Sequence, residues 1–252
     1  QNNDSAYETA ANLFRKGISI EAIIDNREEI DSKLIKESEK NNIKIYKGYT
    51  IVDTYGYKRI NKISIMQLSK DGQKVIGSKI SIPCDCLGVS GGWTPSVHLF
   101  TQSGGKLKFR EDDQVFIPNT YPSDQISIGS CNGDFTLDEI LSNISKTLKE
   151  FLGVNKTGYE NLEVESSFNK SKRNIWLLPS DKIVGKTKSF VDFQNDATAK
   201  DIRLALREGF RSIEHVKRYT TTGMGTDQGK LGNMHALGII SEISCLLYTS
   251  DA

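Results

Sequence analysis

Residues 214–230, "EHVKRYTTTGMGTDQGK", gather the side chains best suited to hold something. Lys217, Arg218 and Lys230 stand around three threonines and a glycine turn. Hydroxyls, cations and backbone N–H groups are the donors that bind oxygen anions. That chemistry suits a phosphate group or an acidic protein face, with Arg218, Thr221, Thr222 and Lys230 as candidate contacts. Threonines that cap helices and basic residues that face water would give the same pattern. The residues alone leave both readings open.

A second concentration lies at 126–152, where a short strand, "QISIGSCNG", a glycine turn and an amphipathic helix follow one another. Such an arrangement points N–H groups and the helix dipole at one spot, a seat for phosphate or ribose oxygens. A glycine between strand and helix also serves where the turn simply needs positive φ. Elsewhere the chemistry is thin. His98, His215 and His235 are isolated, without triad or H-E-x-x-H grouping, and Trp93 and Trp176 read as packing anchors. Cys84, Cys86, Cys131 and Cys245 include no C-x-x-C pair, which disfavours a metal centre or a thiol–disulfide reductase and fits free thiols in a reducing compartment. Cys84 and Cys86 alternate along an expected strand, "KISIPCDCLGVSG", and would point to opposite faces.

Composition sets the bounds. With Lys+Arg 33 against Asp+Glu 32 in 252 residues, a net charge of +1 offers no broad field for nucleic acid or an anionic membrane. No run approaches the roughly 18 apolar residues of a membrane span, and "QNNDSAYETA" lacks the order of a signal peptide. A soluble, cytoplasmic protein with neither nucleic-acid nor membrane partner is expected.

The elements that must position these residues follow from periodicity. "DSAYETAANLFRKG" predicts an amphipathic helix that Asp4 or Ser5 could cap and Gly17 ends; "ISIEAIIDNR" predicts a strand ending at Asp25; "REEIDSKLIKESEKNN" predicts a second helix. Several strands follow to about residue 82, with Asp71–Gly72 as a hairpin turn. Then come a short helix in "TPSVHLFTQSGGKLKF", a strand at "VFIP", and a helix in "FTLDEILSNISKTLKEFLG" stopped by Gly153. A polar arm with the apolar island "NIWLLP" leads to three helices broken by turns.

With these elements in place, "TPSVHLF" after "CDCLGVSGGW", and above all "SFVDFQNDATAKDIRLALREGFRSIEHVKRYTTTGMGTDQGK", resemble the middle of the α subunit of heterotetrameric sarcosine oxidase. The resemblance implies an α/β chain: a partial two-dinucleotide-binding fold of the FAD/NAD-linked reductase type followed by a small helical module. It implies an inserted Rossmann-like NAD-type domain at 1–85 without its first strand, a return into the outer domain at 86–153, a linker or docking arm at 154–188, the helical module at 189–244, and a tail at 245–252 unlike the family. "ISIGSCNG" takes the place of the family's closing glycine motif, making Gly129, Ser130, Cys131, Phe135 and Thr136 candidates for contact with NAD. FAD and FMN would sit on the β subunit, tetrahydrofolate at a domain further along the α chain, and β, γ and δ would be the partners in oxidising sarcosine. The fragment itself would carry no catalytic residue and no metal.

Two departures from pattern matter. "QNNDSAY" stands where a Rossmann fingerprint needs glycines, and its acid repels phosphate. Asp25 has the position of a ribose-binding carboxylate, but without the glycines a structural or capping role comes first, and the inserted domain is expected to keep the fold without the ligand. The helical module resembles bacterioferritin-associated ferredoxin, whose four cysteine positions fall here on Asp192, Gln194, Asp227 and Gly232. An iron–sulfur cluster needs sulfur or imidazole donors, so none is expected. Two other functions remain open: a scaffold with an empty dinucleotide fold, and a subunit of a related amine or amino-acid dehydrogenase of the cyanide-synthase type.

Overall fold

The computed structural model describes residues 3–122, 124–153, 175–182 and 187–244. The expected linker at 154–188 is thus described only in part, and the tail with Cys245 lies outside the described residues. The chain divides into two compact units, one built from 1–47 with 88–173, the other from 48–87 with 174–252.

In the first unit the order is helix, strand, helix, strand, as the periodicity implies: α1 (Ser5–Arg15), β1 (Ala22–Asp25), α2 (Ser32–Lys40) and β2 (Lys44–Lys47). β1 and β2 pair in parallel, Ile23 opposite Ile45, which requires the crossover that α2 supplies. Tyr7 and Ala10 of α1 bury against Ile23 and Ile43, with Leu34 of α2 and Ile45 packed alongside. Asp4 does not cap α1: its carboxylate takes Arg27 Nη2 at 2.7 Å, and Asn3 Oδ1 receives the Ser5 N–H at 3.0 Å instead. A buried cation outcompetes a backbone N–H for the acid.

The same unit continues with α3 (His98–Gln102) and an antiparallel hairpin of β6 (Lys106–Arg110) and β7 (Val115–Thr120). The expected strand at 126–128 does not form. Ile128 is extended, but no strand pairs with it among the described residues, and the chain turns into a 3-10 helix, Gly129–Asn132. α4 (Leu137–Leu152) then starts on a full capping box, Thr136 with Glu139, and ends at Gly153 in the left-handed region.

In the second unit, β3 (Tyr49–Gly56), β4 (Ile60–Leu68) and β5 (Val75–Pro83) form an antiparallel meander with Asp71–Gly72 in the second turn. β5 ends at Pro83, so Cys84 and the exposed Cys86 lie beyond the strand rather than alternating within it. Its helical part begins with a two-strand clip, β8 (Phe190–Asp192) and β9 (Ala197–Thr198), followed by α5 (Ala199–Arg207), α6 (Ile213–Thr220) and α7 (Asn233–Ser244). Ile202 and Ala205 of α5, Val216 of α6, and Ile239 and Ile240 of α7 make its core. Trp176 packs on that core, and a Cβ on Gly238 would overlap its indole, so glycine there leaves the space the ring fills. Trp93, expected as an anchor, is 56% exposed.

Candidate functional site

Three places could hold a cofactor. The first is the C-terminal end of β1, where Rossmann-type folds seat a ribose. Asp25 is there, fully buried, and wholly engaged: Arg27 donates to Oδ1 from its backbone N–H at 2.9 Å and from Nε at 3.1 Å, while Oδ2 takes Arg27 Nη2 at 2.9 Å and the Tyr7 hydroxyl at 3.1 Å. Arg27 bridges on to Asp4, so one guanidinium joins the helix start to the strand end. Burial alone would lower the Arg27 pKa, but Asp25 and Asp4 hold it above its ordinary value. Sequence reasoning singled out Asp25 and missed Arg27. An arginine two residues beyond a strand-end acid was the available signal. Two buried donors, Arg27 Nη1 and Asn3 Nδ2, have no hydrogen-bond partner.

The second is the glycine turn before α4. Gly129 is buried with φ 76°, Ser130 is exposed, Cys131 is half-buried with its thiol against the Ile128 carbonyl at 3.1 Å, and Phe135 is half-buried. Thr136 is committed to the helix cap, receiving the Glu139 N–H. Gly133 has φ 85°, and a Cβ there would press on Ile117 and on Arg110, whose Nη2 donates to the Gly133 carbonyl at 2.7 Å. Arg110 is otherwise held by the buried Asp113, which raises its pKa. Acids therefore dominate here: Asp113, Asp134, Asp138 and Glu139 surround that single arginine and the helix start. Asp134, absent from the sequence-derived candidates, is buried; Oδ1 accepts from Asn143 at 2.9 Å and Oδ2 has no partner. These acids disfavour phosphate at the turn, and Asp134 Oδ2 is an unpaired acceptor buried beneath it.

The third is the turn 223–232. Here the four positions aligned with cluster cysteines do come together, and oxygen acceptors close them. The Asp192 carboxylate is buried and accepts N–H bonds from Gly223 at 2.7 Å, Gln194 at 2.8 Å and Asn195 at 3.3 Å. Burial would raise its pKa, but these N–H bonds outweigh that and hold it below the usual carboxylate range. Gln194 Oε1 takes the Thr226 hydroxyl at 2.8 Å and the Asp227 N–H at 3.4 Å; Asp227 in turn accepts from Gly229 at 3.1 Å and Leu231 at 3.2 Å. Gly232 lies against the Val191 carbonyl, and a Cβ on either Gly223 or Gly229 would overlap the Asn233 amide.

This leaves less for an outside anion than the residue types imply. Thr220 and Thr222 are buried and share a hydrogen bond at 2.8 Å, and Thr221, in the left-handed region at φ 58°, gives its hydroxyl to the Thr220 carbonyl. Arg218 and Lys230 are exposed and remain the cations such a ligand could meet; Lys217 pairs with Glu214 at 3.4 Å. Among the described residues no group of three or more His, Cys, Asp or Glu side chains is placed to hold a metal ion, and no helix is long and apolar enough to cross a membrane.

Comparison with known proteins shows what the chain is similar to. Residues 186–245 match the model of the sarcosine oxidase A3 domain. The chain is 30% identical over 96% of its length to sarcosine oxidase subunit alpha of Corynebacterium sp. (strain P-1), covering 25% of it, and 31% identical over 95% to that of Rhizobium meliloti (strain 1021), covering 23%. It thus spans about a quarter of the curated relatives it matches. Among solved structures, L-proline dehydrogenase from P. horikoshii shares the fold, with TM-score 0.55 and 18% identity over 90% of this chain and 45% of that one.

Proposed function

We propose that this chain is a central part of the α subunit of a heterotetrameric sarcosine oxidase, and that its work there is to hold NAD in part and to dock against other subunits. The carrying observation is likeness to sarcosine oxidase α subunits along nearly the whole chain, with the A3 match falling on the module whose turn is closed by oxygen acceptors. In the complete enzyme sarcosine would be demethylated oxidatively to glycine with oxygen and tetrahydrofolate. FAD and FMN would lie on β, and tetrahydrofolate at a downstream α domain.

The residues at the α4 turn fit a ribose better than a pyrophosphate. In this reading Gly129 lets backbone approach the dinucleotide, Ser130, Cys131 and Phe135 line it, Thr136 fixes the start of α4, and Asp134 accepts from a ribose hydroxyl. NAD, when bound, would supply a nicotinamide; this chain would contribute no base to amine oxidation. The Arg27 ion pairs occupy the corresponding place in the inserted domain, so a single dinucleotide per α subunit is expected. That same plug gives the second reading its footing: a scaffold whose dinucleotide fold is empty throughout.

The test is to produce the α polypeptide that carries this chain, remove free nucleotide by gel filtration, and assay NAD released on denaturation. About one NAD per chain supports the first reading, with Asp134→Asn lowering retention; none supports the scaffold. Assembly with β, γ and δ and sarcosine-dependent oxygen uptake test the enzyme assignment separately.

A further inference from the structure

The closed turn of the second unit carries an apolar face that its own fold does not use. Phe193 is 74% exposed, Leu231 73%, Met224 53% and Phe190 40%. These side chains belong together. Phe190 and Phe193 lie with ring centroids 6.0 Å apart. Gly225, next to Met224, rests against Gln194, next to Phe193; Gly232, next to Leu231, rests against Val191, next to Phe190. Both ends of the turn are therefore clamped onto the 190–194 segment, and each clamp has an exposed apolar residue on either side. The backbone beneath is fixed by the Asp192, Gln194 and Asp227 hydrogen bonds, so the patch is rigid rather than a loose loop.

Its rim is cationic. Lys188, Arg218 and Lys230 are exposed in the stretch 188–230; of its exposed acids, Glu208 pairs with Arg207 and Glu214 with Lys217, which leaves Asp196 at the β8–β9 turn. Arg218 lies on the last turn of α6, whose end is tied to the β8–β9 turn where the Thr221 carbonyl accepts from Asn195 Nδ2 at 3.0 Å. Contiguous apolar surface with a polar rim marks a protein interface. A second copy of this chain would bring like charges toward each other across a two-fold axis, whereas a different chain can present carboxylates.

We infer that this face, centred on Phe193 and Leu231, docks a separate subunit of the assembly through an apolar centre ringed by carboxylates. The inference rests on the reading of the chain as part of a multi-subunit enzyme and assigns the contact to residues that reading did not name. A rigid apolar anchor flanked by cations gives affinity at the centre and association rate at the rim.

The full α polypeptide with Phe193→Ser and Leu231→Ser, co-produced with β, γ and δ, tests it. Its recovery in the assembled complex should fall by about tenfold or more, while melting temperature and retained NAD of the isolated α chain stay as in the wild type, since neither side chain is buried. A second variant, Arg218→Glu with Lys230→Glu, should slow association and reverse its salt dependence with little change in melting temperature. Wild-type recovery of the complex with the first variant would overturn this inference alone. So would self-association of the isolated wild-type chain that the first variant abolishes, or binding of that chain to vesicles of anionic lipid through the same residues. A wild-type α chain that assembles with no other subunit would overturn both this inference and the function it rests on.

Discussion

Asp25 in the first unit and Asp192 in the second are both buried carboxylates, and they are neutralised by different means. Asp25 is met by a full charge, the Arg27 guanidinium, which also reaches Asp4. Asp192 is met by the N–H groups of Gly223, Gln194 and Asn195, and no salt bridge to it is made among the described residues. The first arrangement needs a second ion taken out of water and leaves one guanidinium nitrogen without a partner. The second draws on backbone dipoles that the turn must satisfy in any case. A site can thus be closed by importing an opposite charge or by turning existing donors inward, and the second route buries one ion instead of three.

The largest expected effect breaks the first arrangement. Arg27→Met leaves Asp4 and Asp25 buried without their cation and should cost about 3–5 kcal/mol, read as a lower urea midpoint; a loss under about 1 kcal/mol would mean the pair is solvated. Asp192→Ala comes next, at about 2–3 kcal/mol, because three N–H groups lose their acceptor without a buried charge being stranded. Gly238→Ala should cost about 1–3 kcal/mol by pushing Trp176 out of its seat, seen as a shift in tryptophan emission. Acid sharpens the contrast further. The folded pKa of Asp192 lies below the roughly 3.9 of an unfolded aspartate, so its stabilisation is complete above that pH and is lost as pH falls through the lower folded value. Asp192→Asn should flatten that part of the acid unfolding curve, and an unchanged curve would remove Asp192 from the account. The smallest effect lies outside both sites: Lys182→Ala breaks an exposed pair with Asp53 and should cost less than about 1 kcal/mol, vanishing in high salt.

How far the sequence reached follows the same division. α1, β1, α2, β2 and the three terminal helices were legible because apolar spacing decides which face is buried. The strand expected at 126–128 was not, since extended backbone becomes sheet only beside a partner, and pairing is a property of distant chain. At the sites, the residue types were visible but their uses were not. Thr222 and Thr136 look like free hydroxyls in a string of letters, yet one is buried in a threonine pair and the other is spent on a helix cap. Arg27 and Arg110 each sit beside a nearby acid, a signal left unread, while their bonds to Asp4 and Gly133 span 23 positions and the Asp134 bond to Asn143 spans 9. That Asp192, Gln194, Asp227 and Gly232 meet around one turn, with oxygen acceptors filling it, is visible only in the coordinates.

The notch at Gly238 has a practical reach beyond packing. Because Trp176 fills it from ten residues before the family match begins at 186, the helical module owns a piece of chain that homology assigns to the segment before it. A polypeptide started at 186 would leave α7 with an open apolar groove over Ile239 and Ile240, inviting aggregation; one started near 174 would carry its own plug.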